Sequence, residues 1–192
     1  MARAIVGSAL VASVLLAVVA MAQREERRPD PRAICASRGR GPRADEEVLR
    51  RIYPAFLDFY RRGDDWKAFF HPEATSTAVF VDQPARTLTL AEADVALAQI
   101  RLLYPEMEFR ILWSRAAVAE DGRSGILVFE QESRLANARG DRVRRRFVGV
   151  AHCLLDADQW RIVRLDEYHL PTREPAPAGG GGLNGASSRG GS

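Results

Sequence analysis

Residues 52–75 read IYPAFLDFYRRGDDWKAFFHPEAT. Ile52, Phe56, Phe59 and Tyr60 continue a series begun at Val48 and Leu49, recurring every three or four residues as one helix face does. The spacing predicts an amphipathic helix over residues 45–62. Asp45 is placed to cap its start. Glu46 and Glu47 fall in the first turn, where the positive end of the helix dipole favours acids. Pro54 either kinks this helix or delays its start, because proline lacks the N–H donor and crowds the preceding turn. Gly63 suits the left-handed conformation that ends a helix. Asp64 or Asp65 then caps a short helix from Trp66 to Phe70. His71-Pro72 stops it, since the residue before a proline avoids helical dihedrals.

Downstream the period changes. A first strand is predicted at about residues 77–81, closed by Asp82-Gln83-Pro84. Thr89 caps a third helix over about residues 90–103, stopped by Tyr104-Pro105. Met107, Phe109, Ile111 and Trp113 then alternate with Glu108, Arg110 and Ser114, and Leu127, Phe129 and Gln131 with Val128, Glu130 and Glu132. Turn signals at Asp121-Gly122, Gly140-Asp141 and residues 156–159 set off two more strands, at 143–155 and 160–169. The order is α-α-β-α-β-β-β-β. Sequential antiparallel strands with helices gathered at the front predict an α+β fold, about three N-terminal helices covering one face of a curved antiparallel sheet.

The flanks differ in kind from residues 45–170. Residues 1–22 open with Arg3, continue with an uncharged apolar run from Ala4, and end in Ala20-Met21-Ala22, a small-x-small cleavage pattern. The run is also near the roughly 20 residues that span a bilayer. The expectation is a cleaved signal peptide and a secreted or lumenal protein, the alternative an uncleaved membrane anchor over residues 4–22. Residues 23–44 mix Arg, Pro and Gly and read as a disordered linker. Residues 171–192 read as a disordered Gly-rich tail.

The chain carries +3 overall, but residues 45–170 hold 18 Lys and Arg against 21 Asp and Glu, a net −3. The basic excess lies in the flanks. A nucleic-acid-binding domain concentrates it on the folded surface, so that class is excluded. Cys35 and Cys153 either pair in an oxidising compartment or remain separate thiols. Three scattered histidines and two distant cysteines lack ligand spacing, so no metal is expected. The chain has no P-loop, dinucleotide fingerprint or G-x-S-x-G elbow, and no cofactor is expected.

Two stretches, residues 52–75 and the closing QWRIVRLDEYH at 159–169, resemble the nuclear transport factor 2-like superfamily, and within it the SnoaL-like branch. The first has the helix, Gly-Asp break, aromatic short helix and Glu-Ala-Thr of that pattern. The second has its final turn, "Arg-Ile-Val" and polar-aromatic end. The resemblance spans about residues 46–170 and implies a cone-shaped domain with an apolar pocket. The superfamily includes steroid isomerases, polyketide cyclases, dehydratases and epoxide hydrolases, and many members without catalysis, so fold alone does not name a reaction.

What the resemblance implies for individual residues is mixed. The aspartate base of the steroid isomerases falls near Asp82, their oxyanion tyrosine at Phe56 and their oxyanion acid at about Ala151, so that pair is missing; Tyr53, one turn before Phe56, is the substitute. For cyclase chemistry the nearby acids and histidines are Asp166, Glu167, His152 and His169. Strand parity selects among them: Val163, Leu165, Glu167 and His169 share the face expected to be concave, and Asp166 the other. Asp82, Glu167 and His169 are therefore the candidate catalytic residues, with Tyr53, Phe56, Trp113 and Phe129 as candidate substrate contacts. Arg142, Arg144 and Arg146 share a strand face suited to an ion-pair ladder with Glu130 and Glu132. Two functional classes follow. One is a cofactor-independent isomerase, cyclase, dehydratase or carrier of a small hydrophobic molecule. The other is a non-catalytic module that dimerises through the exposed sheet face, with membrane contact only if the leader is retained.

Overall fold

The structure is a computed structural model that describes residues 29–171 except 38, 40 and 82. The leader, the first residues of the linker, the tail from residue 172 and Asp82 lie outside the described residues. Among the described residues, no helix is long and apolar enough to cross a membrane.

The elements are α1 (Pro31–Cys35), α2 (Pro42–Arg62), a 3-10 turn (Trp66–Phe69), β1 (Phe70–Phe80), β2 (Gln83–Thr89), α3 (Leu90–Leu103), β3 (Glu106–Val118), β4 (Ser124–Ala136), β5 (Arg142–Asp156) and β6 (Gln159–His169). The strands form one sheet in the order β2-β1-β6-β5-β4-β3. All neighbours run antiparallel except β1 and β6, which are parallel. This is the expected α+β architecture, a curved sheet with a few helices.

Helix α2 lies against the inner face of the sheet. Its apolar stripe of Leu49, Ile52, Tyr53 and Phe56 is buried with Leu127, Phe129, Trp160 and Ile162 of the strands. Leu49 and Ile52 have no exposed surface, and each contributes about 1.5–3 kcal/mol of apolar burial. The helix begins earlier than expected, with Pro42 at its first position, where a missing N–H costs nothing. Asp45 is therefore inside the first turn, and accepts a hydrogen bond from the Ser37 hydroxyl at 2.9 Å. The helix passes through Pro54, which sits on the exposed side, and ends at Gly63 with φ 79°. Helix α3 starts with the expected Thr89 cap, reciprocated by Glu92.

Strand β1 starts at Phe70 instead of about 77 and runs through His71-Pro72. Three further features depart from the sequence reading. Strand β2 occupies the segment read as a turn and loop. It is an edge strand with almost every residue exposed, so no apolar alternation marks it. An edge also tolerates Pro84, whose nitrogen can face away from the ladder. Residues 31–37, read as linker, fold onto the domain instead. Ala36 bridges Gln159, the Ser37 N–H donates to the Asp158 carbonyl at 2.9 Å, and Cys35 is buried. The third departure is two bulges. One residue, Leu112, is extra between Ile111 and Trp113 of β3, and Val163 is extra between Ile162 and Arg164 of β6. Each reverses which face the following side chains occupy.

Candidate functional site

The inner face of β1 and β6, the underside of α3 and the aromatic end of α2 line a partly open cavity of about 170 Å³. Helix α2 contributes Phe56, the following turn Trp66, and the first residue of β1 is Phe70. These three rings pack edge-on at 5.1–5.5 Å between centroids, a favoured aromatic geometry. Helix α3 supplies Ala93, Leu97 and Ile100. It is held over the cavity by the Tyr60 hydroxyl, which donates to the Leu97 carbonyl at 2.9 Å, and by the Lys67–Asp94 ion pair at 2.8 Å. Strand β1 adds Ala74, Ser76 and Ala78; β6 adds Leu165 and Glu167.

Glu167 is the one ionisable side chain among the described residues of this wall. Register explains its position: Ala78 pairs with Glu167 and Ser76 with Leu165 across the parallel β1–β6 ladder, so all four point inward. The Glu167 side chain is 23% exposed. Two titratable neighbours attend it. The Tyr53 phenol, 1% exposed, is pushed well above its usual range by burial first, then by the charge of Glu167 and a hydrogen bond with it. The phenol therefore stays protonated beside Glu167. On the other side, His169 Nε2 is 3.7 Å from Glu167 Oε2. The His169 ring is stacked on Phe80 at 4.2 Å and tilted against Phe147 at 5.2 Å, which fixes its orientation.

The inner end of the cone is filled. Tyr53 lies against Phe129 with centroids 3.9 Å apart, and Phe129 occupies the space over Gly149, where a Cβ would fall 2.1 Å from its ring. Phe129 thus backs Tyr53 instead of lining the cavity.

Of the residues singled out in the sequence, Phe56 and Glu167 line the cavity; Tyr53 and His169 adjoin Glu167 without lining it. Asp82 lies outside the described residues. Trp113 is not at the cavity: the Leu112 bulge turns it to the outer face, 43% exposed, where its Nε1 donates to Glu130 Oε2 at 2.8 Å. Ala151 is wholly buried in the core. His152 and Asp166 are on the outer face, 3.9 Å apart; Asp166 is covered there and accepts from Arg164 Nε at 2.9 Å. Glu167 reaches the cavity because it follows the Val163 bulge, in step with Leu165; His169 shares that face beside Glu167 but does not line the cavity, and ahead of the bulge Trp160 and Ile162 are the inward pair. Sequence reasoning missed Trp66, Phe70, Ser76 and Leu97 as wall residues. The first two lay inside the decisive 52–75 stretch, but their direction depends on how the turn packs.

On the opposite face, Arg144 pairs with Glu132 and Arg146 with Glu130. Hydrogen bonds from Arg144 and Arg146 respectively hold these two carboxyls below their usual range. Arg142 stands opposite Ala136, outside this ladder. Cys35 and Cys153 are free and buried. Among the described residues, no cluster of His, Cys, Asp or Glu side chains could hold a metal ion.

No protein-family model matches the chain, and no curated protein matches it. Solved structures do. A nuclear transport factor 2-like family protein from Streptomyces avermitilis superposes with a TM-score of 0.55 at 15% identity, over 68% of this chain and 99% of that one. A ketosteroid isomerase-like protein from Erwinia carotovora atroseptica gives 0.50 at 16% identity, over 67% and 98%. The CaMKII hub of S. rosetta gives 0.52 at 15% identity, over 65% and 96%. Their shared architecture is the one built above from β1 to β6 and the helices that cover it: the domain has the nuclear transport factor 2-like fold.

Proposed function

We propose that the domain binds a small hydrophobic molecule in the cavity under α3, with Glu167 as the group that takes a hydrogen bond or a proton from it. The observation that carries this reading is a half-buried carboxylate on a wall otherwise built of methyl groups, aromatic rings and the hydroxyls of Thr75 and Ser76. A single carboxyl group on such a wall is, among the described residues, the one side chain there that can exchange a proton with a bound molecule. Glu167 takes a proton from a carbon next to a carbonyl and returns it to another carbon, so that a double bond moves without change of formula. Tyr53 steadies the carboxylate, and His169 links it toward the β6 end. No cofactor enters this scheme. The ketosteroid isomerase-like neighbour accords with it.

The binding reading is tested with benzene. Saturating benzene should raise the unfolding midpoint of the full chain and leave that of Leu97→Trp, which fills the cavity, unchanged. Equal shifts in the two proteins contradict it.

A second reading concerns the outer sheet face. Trp113, Leu154 and Tyr168 are exposed there beside Val128, Val148 and Val150. The hub-domain neighbour accords with homo-oligomerisation. Light scattering of the full chain beside Val150→Glu tests it: a wild-type dimer that the variant dissociates supports it, and a wild-type monomer contradicts it. We also propose that residues 1–22 direct export; N-terminal sequencing of the mature chain should begin at Gln23, and an uncut Met1 in the exported protein contradicts cleavage.

A further inference from the structure

We infer that the ligand of this cavity is a compact, neutral, single-ring molecule whose one hydroxyl donates a hydrogen bond to Glu167. The inference rests on the binding reading above and narrows it in three steps.

Size comes first. The cavity measures about 170 Å³, and an apolar protein cavity of about 150 Å³ accommodates benzene. One ring with a few substituent atoms therefore fills it. A fused tetracyclic frame exceeds this volume, and the core behind the cavity is filled, Tyr53 lying on Phe129 and Phe129 over Gly149.

Charge comes second. Among the described residues, no cation lines the wall to receive an anion, and Glu167 repels one. An ammonium would leave water for a wall of alkyl and aromatic groups with only the Thr75 and Ser76 hydroxyls beside Glu167. The carboxylate it would meet already takes the Tyr53 hydrogen bond and has His169 at 3.7 Å. A neutral hydroxyl enters the same wall at a far smaller desolvation cost.

The polar contact comes third. Glu167, bonded by Tyr53, retains acceptor capacity facing the cavity and has no proton of its own to offer when ionised. A ligand hydroxyl supplies the missing donor. A hydrogen bond to a charged acceptor is worth about tenfold or more in affinity.

The test uses the full wild-type chain and a probe series, so that no variant needs to fold. Methyl resonances of Leu97 and Ile100 report on the cavity, and those of Leu154 on the outer face serve as the control. The probes are 4-methylphenol, toluene, benzylamine, 4-methylbenzoate and estradiol, the last carrying the same phenol on a tetracyclic frame. Expected are cavity shifts with 4-methylphenol, about tenfold weaker binding of toluene, and no binding of estradiol. Estradiol binding as tightly as 4-methylphenol overturns the size limit, and equal affinity of toluene overturns the hydroxyl contact. Tighter binding of benzylamine or 4-methylbenzoate overturns neutrality. Each of these leaves the binding reading standing. If no probe moves the cavity methyls, both fall.

Discussion

Gly149→Ala should be among the most damaging single-methyl additions in this domain, and the structure says why. A Cβ at residue 149 would stand 2.1 Å from Cζ of Phe129 and within 2.7 Å of its two neighbouring ring carbons. Carbon atoms sit comfortably at about 3.5–4.0 Å, so the ring would have to retreat by more than about 1 Å. It has little room. Tyr53 already lies on it at 3.9 Å between centroids, and Phe147 stands edge-on at 6.2 Å. Overpacking a closed core costs about 1–3 kcal/mol, and the lack of an escape direction puts this site at the upper end. A loss of about 3 kcal/mol corresponds to roughly 10 °C in midpoint for a domain of this size. Urea unfolding of Gly149→Ala, Phe129→Leu and the double variant measures it. The shorter Leu side chain makes room for the new methyl, so the double variant should be more stable than the sum of the two losses by about 2 kcal/mol. A Gly149→Ala protein within about 0.5 kcal/mol of wild type, or strict additivity, refutes the claim that Phe129 is wedged between Gly149 and Tyr53.

Two further predictions concern groups outside the cavity wall. Burial raises the Cys35 thiol from 9.0 to about 11 and the Cys153 thiol from 9.0 to about 12. Between pH 9 and those values the folded chain keeps protons that unfolded thiols release, so stability falls as pH rises, by up to about 1.4 kcal/mol per unit for each thiol. Urea midpoints at pH 8, 9 and 10 should decline, less steeply in Cys153→Ala; a flat profile contradicts the burial. Tyr60→Phe removes the donor to the Leu97 carbonyl and should cost about 1 kcal/mol. Chemical denaturation checks this, and an unchanged midpoint would show that α3 is held otherwise.

How much of this was legible depends on whether a residue's direction is set locally. Helix α2 was, because Leu49, Ile52, Phe56 and Tyr60 repeat at its period whatever they pack against. The Thr89 cap and the Asp121-Gly122 turn were, because their chemistry is internal to a few residues. Strand β2 was not: QPARTLT has no apolar alternation, since an edge strand exposed on both sides has no face to mark. Helix α1 was not, because five residues carry no period and its anchor is Cys35 against the β5–β6 hairpin. The two bulges divide the site. Parity placed Glu167 and His169 on the same face as Leu165, which holds because all three follow the insertion at Val163. The same reasoning misplaced Trp113, because Leu112 adds one residue between it and Ile111. A bulge leaves no mark in the alternation before it.

The most direct test of the cavity as the functional site is a crystal structure of the full chain with 4-methylphenol. The ring is expected among Phe56, Trp66 and Leu97, with its oxygen at hydrogen-bonding distance from the Glu167 carboxylate. A phenol bound elsewhere, such as on the outer face beside Trp113, or a cavity closed by the side chains of α3, would contradict it.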